Sequence, residues 1–185
     1  MLISFIGTEK CDLLYALVKV GISAGKKILI IDNSVTGDFY NIYNQDGEDI
    51  IDVNSMTIAR LYEYDSMKVK NYDYVFLYEG LQPGYYGSRD LTIAHMGVAP
   101  SDLKMVSQAF NASNFRENPH LILIRRDRDV SRKIKTDYFA SAFGWTCNNN
   151  YKIKFSETDY RAYYMLCINR DIKLTAFSGE FLETL

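Results

Sequence analysis

The sequence predicts a single-domain α/β protein whose central sheet is mainly parallel and carries helices on both faces. Three observations favour this class. Short, continuous apolar runs recur along the chain, segments of helical length and amphipathic pattern separate them, and capping residues mark where helices begin or end. Strands that are apolar throughout are typical of a parallel sheet covered on both sides.

The first part of the chain predicts one β–α–β unit. Its elements are, in order, a strand at 2–6, a loop at 7–12, a helix at 13–24 and a strand at 27–32. The two strands are apolar, and a helical crossover between them favours parallel pairing with a right-handed connection. This unit therefore predicts the start of the sheet.

The rest of the chain alternates in the same way. The further strand candidates, which are rich in β-branched or aromatic residues, are 50–53, 74–78, 91–98 and 121–124. The further helix candidates are 57–64, a helix capped by Ser101 and Asp102 that runs to about Phe110, 130–143 before Gly144, and a last helix toward Asn169. Ser156 and Asp159 resemble a capping box at the start of that last helix. A loop spans 80–88, where proline and glycine interrupt the pattern.

Composition fits one globular domain with a sizeable core. The 185 residues are 48% hydrophobic and 24% charged, and nothing in them indicates disorder. The net charge of −2 gives no overall attraction to nucleic acid or an anionic membrane. The three cysteines lack zinc-site spacing and favour reduced thiols. We find no transmembrane segment or signal sequence, and expect a cytoplasmic protein that reaches a membrane only through partners.

The loop after the first strand resembles a phosphate-binding loop that has lost most of its residues. Such a loop needs several glycines, so that backbone N–H groups point at the phosphates, together with a lysine and a Ser/Thr hydroxyl for magnesium. Only Gly7 and Lys10 remain here. The layout indicates a nucleotide-binding ancestry more strongly than a present nucleotide-binding role.

Four segments extend this resemblance along most of the chain. They are Lys10 with the run 25–32 (GKKILIID), the run 72–79 (YDYVFLYE), the turn and helix start at 99–102, and the run 152–157 (KIKFSE). In order and spacing they resemble the MinD/ParA branch of the deviant-Walker, SIMIBI-class P-loop ATPases. The closest similarity is to the degenerate TadZ/CpaE-like members associated with pilus assembly. The resemblance implies a three-layer, P-loop NTPase-like sandwich and a homodimer.

The chain departs from this family at the positions that handle magnesium and phosphate. Alignment on Lys10 puts Cys11 at the magnesium-binding hydroxyl, and a thiol is a poor ligand for a hard cation. Glu9 stands where the loop requires glycine, so its carboxylate would repel a triphosphate. Tyr78 replaces the Walker B aspartate, and the signature lysine of the deviant loop falls at Phe5 or Ile6.

A second position of the family's nucleotide site is also changed. The asparagine that contacts adenine after the late strand is replaced by Arg125. Because phosphoryl transfer depends on lysine and magnesium to stabilise charge, we expect a pseudo-ATPase without catalytic residues. The vestigial nucleotide-binding residues would be Gly7, Thr8, Lys10, Cys11 and Asp32. We expect no cofactor, and ATP is the one ligand this remnant could hold.

Each of these residues also has a structural interpretation. Lys10 could be a solvated loop lysine. Asp32 could cap the turn or helix that follows the second strand. Cys11 could pack as a small apolar residue under the first helix, since no paired base is apparent. His95 and His120 are not at ligand spacing from a second histidine or cysteine, which favours structural roles.

Two surface segments are candidates for contacts with other molecules. The loop 80–89 carries Tyr85, Tyr86 and Arg89, residue types favoured at interface hot spots, and these three are our predicted interface residues. The alternative is a loop folded back over the edge of the core. The basic run 125–135 is interrupted by aspartates, which favours a solvated helix face over a nucleic-acid contact.

The sequence therefore predicts a non-catalytic scaffold or adaptor, homodimeric, that positions or organises a larger assembly. The link to a pilus or secretion system is an analogy from the resemblance. Two alternatives stay open, namely an ATP-binding switch with slow hydrolysis and a DNA-associated partition or regulatory protein. The acidic, apolar C-terminal segment 177–185 is predicted to dock on its own domain.

Overall fold

The computed structural model describes residues 1–8, 11–44, 47–62, 68–82, 88–97, 100–112, 120–125, 150–153 and 156–183. Within these ranges the chain forms eight strands and five α-helices. The strands are β1 (Leu2–Gly7), β2 (Ile28–Asp32), β3 (Ile50–Val53), β4 (Met56–Arg60), β5 (Tyr74–Gly80), β6 (Leu91–Gly97), β7 (Leu121–Arg125) and β8 (Asn150–Ile153). The helices are α1 (Asp12–Ser23), α2 (Asp38–Tyr43), α3 (Pro100–Ala112), α4 (Glu157–Asn169) and α5 (Gly179–Leu182).

These strands form one eight-stranded sheet in the order β3-β4-β2-β5-β1-β6-β7-β8. Every neighbouring pair is parallel except β3 and β4, which are antiparallel. Helix α1 connects β1 to β2, toward one end of the sheet, and helix α3 connects β6 to β7, toward the other end. Right-handed crossovers in opposite directions place helices on both faces. The predicted α/β class with a mainly parallel sheet is confirmed.

The central strands are buried on both faces, as a sheet between two helical layers requires. In β2, Ile28 and Ile30 belong to one apolar cluster, whereas Leu29 and Ile31 belong to another. Alternate residues of a strand point to opposite faces, so each face of β2 contributes to a separate part of the core. All four side chains are inaccessible to solvent, and burial of each contributes about 1.5–3 kcal/mol.

One helical layer consists of α1 and α4. Leu13 and Leu14 of α1 lie in the same cluster as Ala162 and Leu166 of α4 and Ile30 of the sheet. Helix α3 packs against β1 and β6. Because β1, β5 and β2 are parallel neighbours, the carboxyl ends of these three strands meet at one edge of the sheet.

The predicted helix at 57–64 is wrong over its first half. Met56–Arg60 is strand β4, which pairs in parallel with β2 and antiparallel with β3. Thr57 and Ile58 are β-branched, and their side chains are buried in the sheet. Pairing with two neighbouring strands overrides a local apolar pattern that is compatible with either structure.

Two other boundaries differ from the predicted ones. Helix α3 begins at Pro100, so Ser101 and Asp102 lie within its first turn and not ahead of it. Proline suits the first helical turn because the N–H it lacks would be unpaired there. Strand β8, which continues the sheet next to β7, was not predicted. The predicted helix at 130–143 lies outside the described residues.

The C-terminal segment docks on the domain, as its apolar residues predict. Ser156 caps α4 by accepting a hydrogen bond from the N–H of Asp159, which supports the predicted capping box. The buried Asp159 carboxylate in turn accepts hydrogen bonds from the N–H of Ser178 (2.6 Å) and from its hydroxyl (2.8 Å). Phe177 and Phe181 stack with ring centroids 4.7 Å apart and are buried in the core.

Candidate functional site

The carboxyl ends of β1, β2 and β5 form the candidate site. Asp32 at the end of β2 lies in register with Tyr78 of β5, and Tyr78 lies in register with Phe5 of β1. Gly7 is the last residue of β1, and Thr8 follows it at the same edge. Open parallel sheets bind their ligands at this edge. The structure therefore brings together Gly7, Thr8, Cys11 and Asp32, whereas Lys10 and Glu9 lie outside the described residues.

The start of the first loop is closed onto strand β6. Gly7 has a φ of +148°, and a Cβ atom there would lie 1.6 Å from the carbonyl oxygen of His95. The N–H of Thr8 donates a hydrogen bond to the same carbonyl at 3.0 Å. A phosphate cradle needs its backbone N–H groups directed at the ligand. The N–H of Thr8 is instead bonded to the sheet.

The beginning of α1 carries its own carboxylate. Asp12, the first residue of the helix, is 1% exposed, and its Oδ1 accepts a hydrogen bond from the N–H of Leu13 at 2.9 Å. The N-terminus of a helix attracts anions because its N–H groups are unpaired and its dipole end is positive. In a phosphate-binding loop that position receives phosphate, whereas here Asp12 supplies the negative charge.

Cys11 is a buried thiol at the helix start. Its side chain is inaccessible to solvent and belongs to the main apolar cluster. Burial raises the pKa of this thiol well above its ordinary value, and the negative charge of Asp12 raises it further. A thiol held neutral among apolar side chains is neither a nucleophile nor a ligand for magnesium. The geometry favours the structural interpretation of Cys11.

Asp32 caps the turn that follows β2 and the helix after it. Its Oδ1 accepts hydrogen bonds from the N–H (2.9 Å) and hydroxyl (2.6 Å) of Ser34, and its Oδ2 accepts one from the N–H of Tyr40 (2.8 Å). The Arg60 guanidinium lies 3.7 Å from Oδ1. Burial raises the pKa of Asp32, while these hydrogen bonds and Arg60 oppose the rise. Both carboxylate oxygens of Asp32 are thus hydrogen-bonded to other residues of the protein.

The remaining positions at this edge are aromatic or apolar. The side chains of Phe5 and Tyr78 are buried in the main apolar cluster, and Ile6 is inaccessible to solvent. Tyr78 places a phenol at this edge, which is not the carboxylate that magnesium prefers as a ligand. Neither Phe5 nor Ile6 can stabilise charge across a dimer interface.

A buried ionic cluster, not foreseen from the sequence, follows directly after Tyr78. The Oε1 atom of Glu79 accepts a hydrogen bond from the hydroxyl of Ser4 at 2.5 Å. It also accepts two from Arg89, from Nη2 at 2.8 Å and from Nε at 3.2 Å. The side chain of Glu79 is inaccessible, and that of Arg89 is 7% exposed. This ion pair ties the start of β6 to the end of β5.

The placement of Arg89 argues against its predicted role at an interface. A guanidinium committed to Glu79 inside the protein is not presented to a second molecule. The companion residues Tyr85 and Tyr86, and the basic run from residue 126 to 135, lie outside the described residues. Arg125 ends β7, where its backbone pairs with Ile153 of β8.

The described residues offer no metal-binding cluster, and His120 has a structural contact. Among the described ranges no cluster of three or more His, Cys, Asp or Glu side chains could hold a metal ion. The ring nitrogen Nδ1 of His120 accepts a hydrogen bond from the N–H of Thr92 at 3.1 Å, which is a structural role.

No helix in the described part of the chain is long and apolar enough to cross a membrane.

Comparison with known proteins identifies the fold. No protein-family model matches the sequence, and neither does any curated protein. The solved structures that align over nearly their whole length include three of the ParA/MinD kind. A MinD cell division protein from Aquifex aeolicus aligns at 12% identity and a TM-score of 0.62, covering 100% of this chain and 96% of that one. A ParA family ATPase from Chlorobium tepidum TLS aligns at 14% identity and a TM-score of 0.61, with 99% and 97% covered.

The third similar structure contains a nucleotide analogue. It is a putative plasmid partition protein from Borrelia burgdorferi B31 bound to AMPPNP, at 15% identity and a TM-score of 0.59, with 98% of this chain and 94% of that one covered. Identities this low establish shared architecture and leave the chemistry open. The chain has the fold of the ParA/MinD ATPases.

Proposed function

We propose that this protein is a pseudo-ATPase: a non-catalytic scaffold or adaptor of MinD/ParA-like fold that positions or organises a larger assembly. The observation that carries the proposal is the pair of contacts at the carboxyl end of β1 and the start of α1, which we call the closed edge of the sheet. The N–H of Thr8 is bonded to His95, and the Asp12 carboxylate occupies the start of α1. A triphosphate at this edge would need hydrogen bonds from backbone N–H groups, and it would meet the negative charge of the Asp12 carboxylate instead.

The groups that would organise magnesium also do not fit the ion. Mg²⁺ prefers oxygen ligands in octahedral geometry and is commonly held by one or two carboxylates. Cys11 offers a buried neutral thiol and Tyr78 a phenol. Asp32, the carboxylate at the end of β2, has each oxygen engaged by Ser34 or Tyr40. Together these contacts support a role that does not depend on nucleotide turnover.

The proposed role in an assembly draws on the similar folds. One of them is a MinD cell division protein in complex with MinC, also from Aquifex aeolicus, at 12% identity and a TM-score of 0.57. By analogy we propose that this chain acts on the cytoplasmic side, through protein partners, in an assembly of the pilus or secretion kind. A homodimer formed through Tyr85 and Tyr86 stays a prediction, and Arg89 no longer belongs to it.

The proposal predicts that the purified protein releases no phosphate from magnesium–ATP above the background of a no-protein control. The double variant Cys11→Ser/Tyr78→Asp should stay inactive, because Asp12 and the Thr8 contact would still close the site. A phosphate-release assay on the wild type and on Lys10→Ala provides the measurement. Magnesium-dependent turnover that disappears in Lys10→Ala would establish a working ATPase and overturn the proposal.

The two alternative functions have separate tests. Nucleotide binding without turnover would appear as stabilisation by magnesium–ATP in the absence of phosphate release. A DNA-associated role requires salt-sensitive DNA binding that weakens in Arg125→Ala and Arg128→Ala variants. No contact among the described residues favours either alternative over the scaffold.

A further inference from the structure

A pocket of about 280 Å³ lies at the amino ends of β2, β4 and β5. Because β4, β2 and β5 are parallel neighbours, their amino ends meet at one edge of the sheet, opposite the closed edge. The pocket is lined by Lys27 before β2, by the turn 54–55 and the first residues of β4, and by Asn71 and Tyr72 before β5. We call it the amino-edge pocket.

Main-chain hydrogen bonds hold the walls of this pocket in place. The N–H of Ile28 donates to the carbonyl oxygen of Ser55 at 3.0 Å, which fixes the β3–β4 turn against β2. The N–H of Lys27 donates to Oδ2 of Asp73 at 2.8 Å, and the N–H of Asp73 donates to the carbonyl oxygen of Lys27 at 2.9 Å. Because its walls are fixed by the sheet, the pocket is formed before any ligand arrives, as small-molecule sites usually are.

One wall carries a chain of hydroxyl groups that ends in a carboxylate. The hydroxyl of Thr57 donates to Oδ1 of Asp52 at 2.6 Å, and the phenol of Tyr72 donates to Oγ1 of Thr57 at 3.0 Å. A carboxylate at neutral pH only accepts hydrogen bonds, so the direction of the chain is fixed. The phenol hydrogen of Tyr72 is therefore used within the protein, and its oxygen remains as an acceptor.

The other polar side chains around the pocket are open to a ligand. Within the described ranges, no hydrogen bond or ion pair joins the side chains of Lys27, Asn54, Ser55 or Asn71 to another residue. They supply one ammonium, two amides and one hydroxyl, all of which are hydrogen-bond donors. The pocket thus offers several donors to a ligand that carries acceptor oxygens.

The charges at the pocket indicate the kind of ligand. Of the described residues that line it, Lys27 alone is charged. Behind the lining lie the carboxylates of Asp52, bonded to Thr57, and of Asp73, bonded to the N–H of Lys27. A single cation with two acidic groups behind it suits a monoanion and repels a phosphate or triphosphate group of higher charge. Carboxylate is the monoanion of most small organic acids.

The size and the apolar part of the lining narrow the class further. A volume of 280 Å³ holds about nine water molecules at about 30 Å³ each, and hence a molecule of about nine or ten non-hydrogen atoms. Met56 is 5% exposed, and Tyr72 packs against the apolar cluster on one face of the sheet. These two residues provide an apolar surface for the body of such a ligand.

We propose that the amino-edge pocket binds a small organic monocarboxylate, with the carboxylate at Lys27 and the apolar body against Met56 and Tyr72. This binding site goes beyond the scaffold role and does not rest on it. The pocket and the closed edge lie at opposite ends of the strands, so the failure of either proposal leaves the other intact.

A titration followed by the backbone amide signals in proton–nitrogen NMR spectra tests the pocket. The probes are acetate, isobutyrate and phenylacetate, with phenylacetamide as the uncharged match of phenylacetate and inorganic phosphate as the more highly charged anion. We expect phenylacetate to shift the amide signals of Lys27, Ser55 and Tyr72 and to leave that of Asp32 unchanged. The expected dissociation constant is about 1 mM or tighter, and phenylacetamide should bind about tenfold more weakly.

Two lysine variants separate this site from general attraction of anions. Lys27→Met removes the ammonium group and keeps an unbranched side chain, so it should weaken phenylacetate binding by about tenfold or more and leave phenylacetamide unchanged. Lys173→Met changes an exposed lysine in the segment that contacts α1, and it should bind phenylacetate like the wild type. The spectra of the free variants show whether each is folded.

Four results would overturn the proposal. They are the absence of shifts with all three carboxylates, equal binding of phenylacetate and phenylacetamide, tighter binding of phosphate than of any carboxylate, and phenylacetate binding that persists in Lys27→Met. Shifts confined to the lining residues, dependent on the carboxylate and lost in Lys27→Met, would support it.

Discussion

Replacing Arg89 with methionine is expected to lower the free energy of unfolding by about 3–5 kcal/mol. The substitution removes the cation that is paired with Glu79, whose carboxylate has no access to solvent. Removing one partner of a buried ion pair leaves the other charge without compensation, and this costs far more than losing an exposed pair. Urea denaturation followed by circular dichroism at neutral pH measures the change.

The matched control is Arg161→Met, which breaks an exposed arginine–glutamate pair. Its side chains are 76% and 57% exposed, so the expected loss is below about 1 kcal/mol. The double variant Glu79→Gln/Arg89→Met should be more stable than Arg89→Met alone, because it removes the stranded charge as well. Equal losses for Arg89→Met and Arg161→Met would show that Glu79 is not held in the buried ion pair described above.

Gly7→Ala is expected to destabilise the protein by about 3 kcal/mol, more than the same change at another glycine with positive φ. A Cβ atom at Gly7 would overlap the carbonyl oxygen of His95, so β1 and β6 would have to separate locally. Gly25 is the control, because its φ is +73° and the space that a Cβ atom would take there is open, with nothing within 4 Å. At Gly25 only the backbone conformation opposes alanine, at about 1–2 kcal/mol.

Thermal unfolding of the two glycine variants measures this difference. A larger loss for Gly7→Ala supports the close approach of the first loop to β6, which also directs the N–H of Thr8 toward His95. Equal losses at Gly7 and Gly25 would mean that the loop does not lie against β6. The closed edge on which the pseudo-ATPase proposal rests would then lose its main support.

The strands of the sheet were predictable because their apolar runs are continuous. Strands β1, β2, β5 and β7 are read directly from such runs, since both faces of a central strand are buried and few polar residues interrupt them. Strand β4 was not predictable, because five residues with a mixed pattern fit one and a half helical turns as well as a strand. Only its pairing with β2 and β3 decides the conformation.

The site was predictable in its position and less so in its contacts. The resemblance placed Gly7 and Asp32 in one vestigial nucleotide site, and both residues lie at the carboxyl ends of strands, Gly7 in β1 and Asp32 in β2. The structural interpretation of Cys11, as a small side chain packed under α1, agrees with its complete burial. The carboxylate of Asp12 was overlooked, although an acidic residue in the first turn of a helix is a visible signal.

The ion pair of Glu79 with Arg89 was not predicted from the sequence, for a different reason. Phe76 and Tyr78 contribute to one apolar cluster and Leu77 to the other, so the alternation of β5 places Glu79 on the face of Leu77. This alternation could have shown that Glu79 points into the protein. Its partner could not be read from the sequence, because Arg89 reaches Glu79 only after the chain has crossed from β5 to β6.

The pseudo-ATPase proposal is tested most directly by the melting temperature of the wild-type protein with and without magnesium–ATP. A ligand that binds the folded state raises the melting temperature by an amount that grows with its affinity and concentration. Because the N–H of Thr8 is bonded to His95 and Asp12 places a carboxylate at the start of α1, we expect no shift at millimolar magnesium–ATP. A rise in melting temperature that requires magnesium and is lost in Lys10→Ala would show that this edge of the sheet holds nucleotide, and would contradict the obstructed phosphate position from which the proposal is argued.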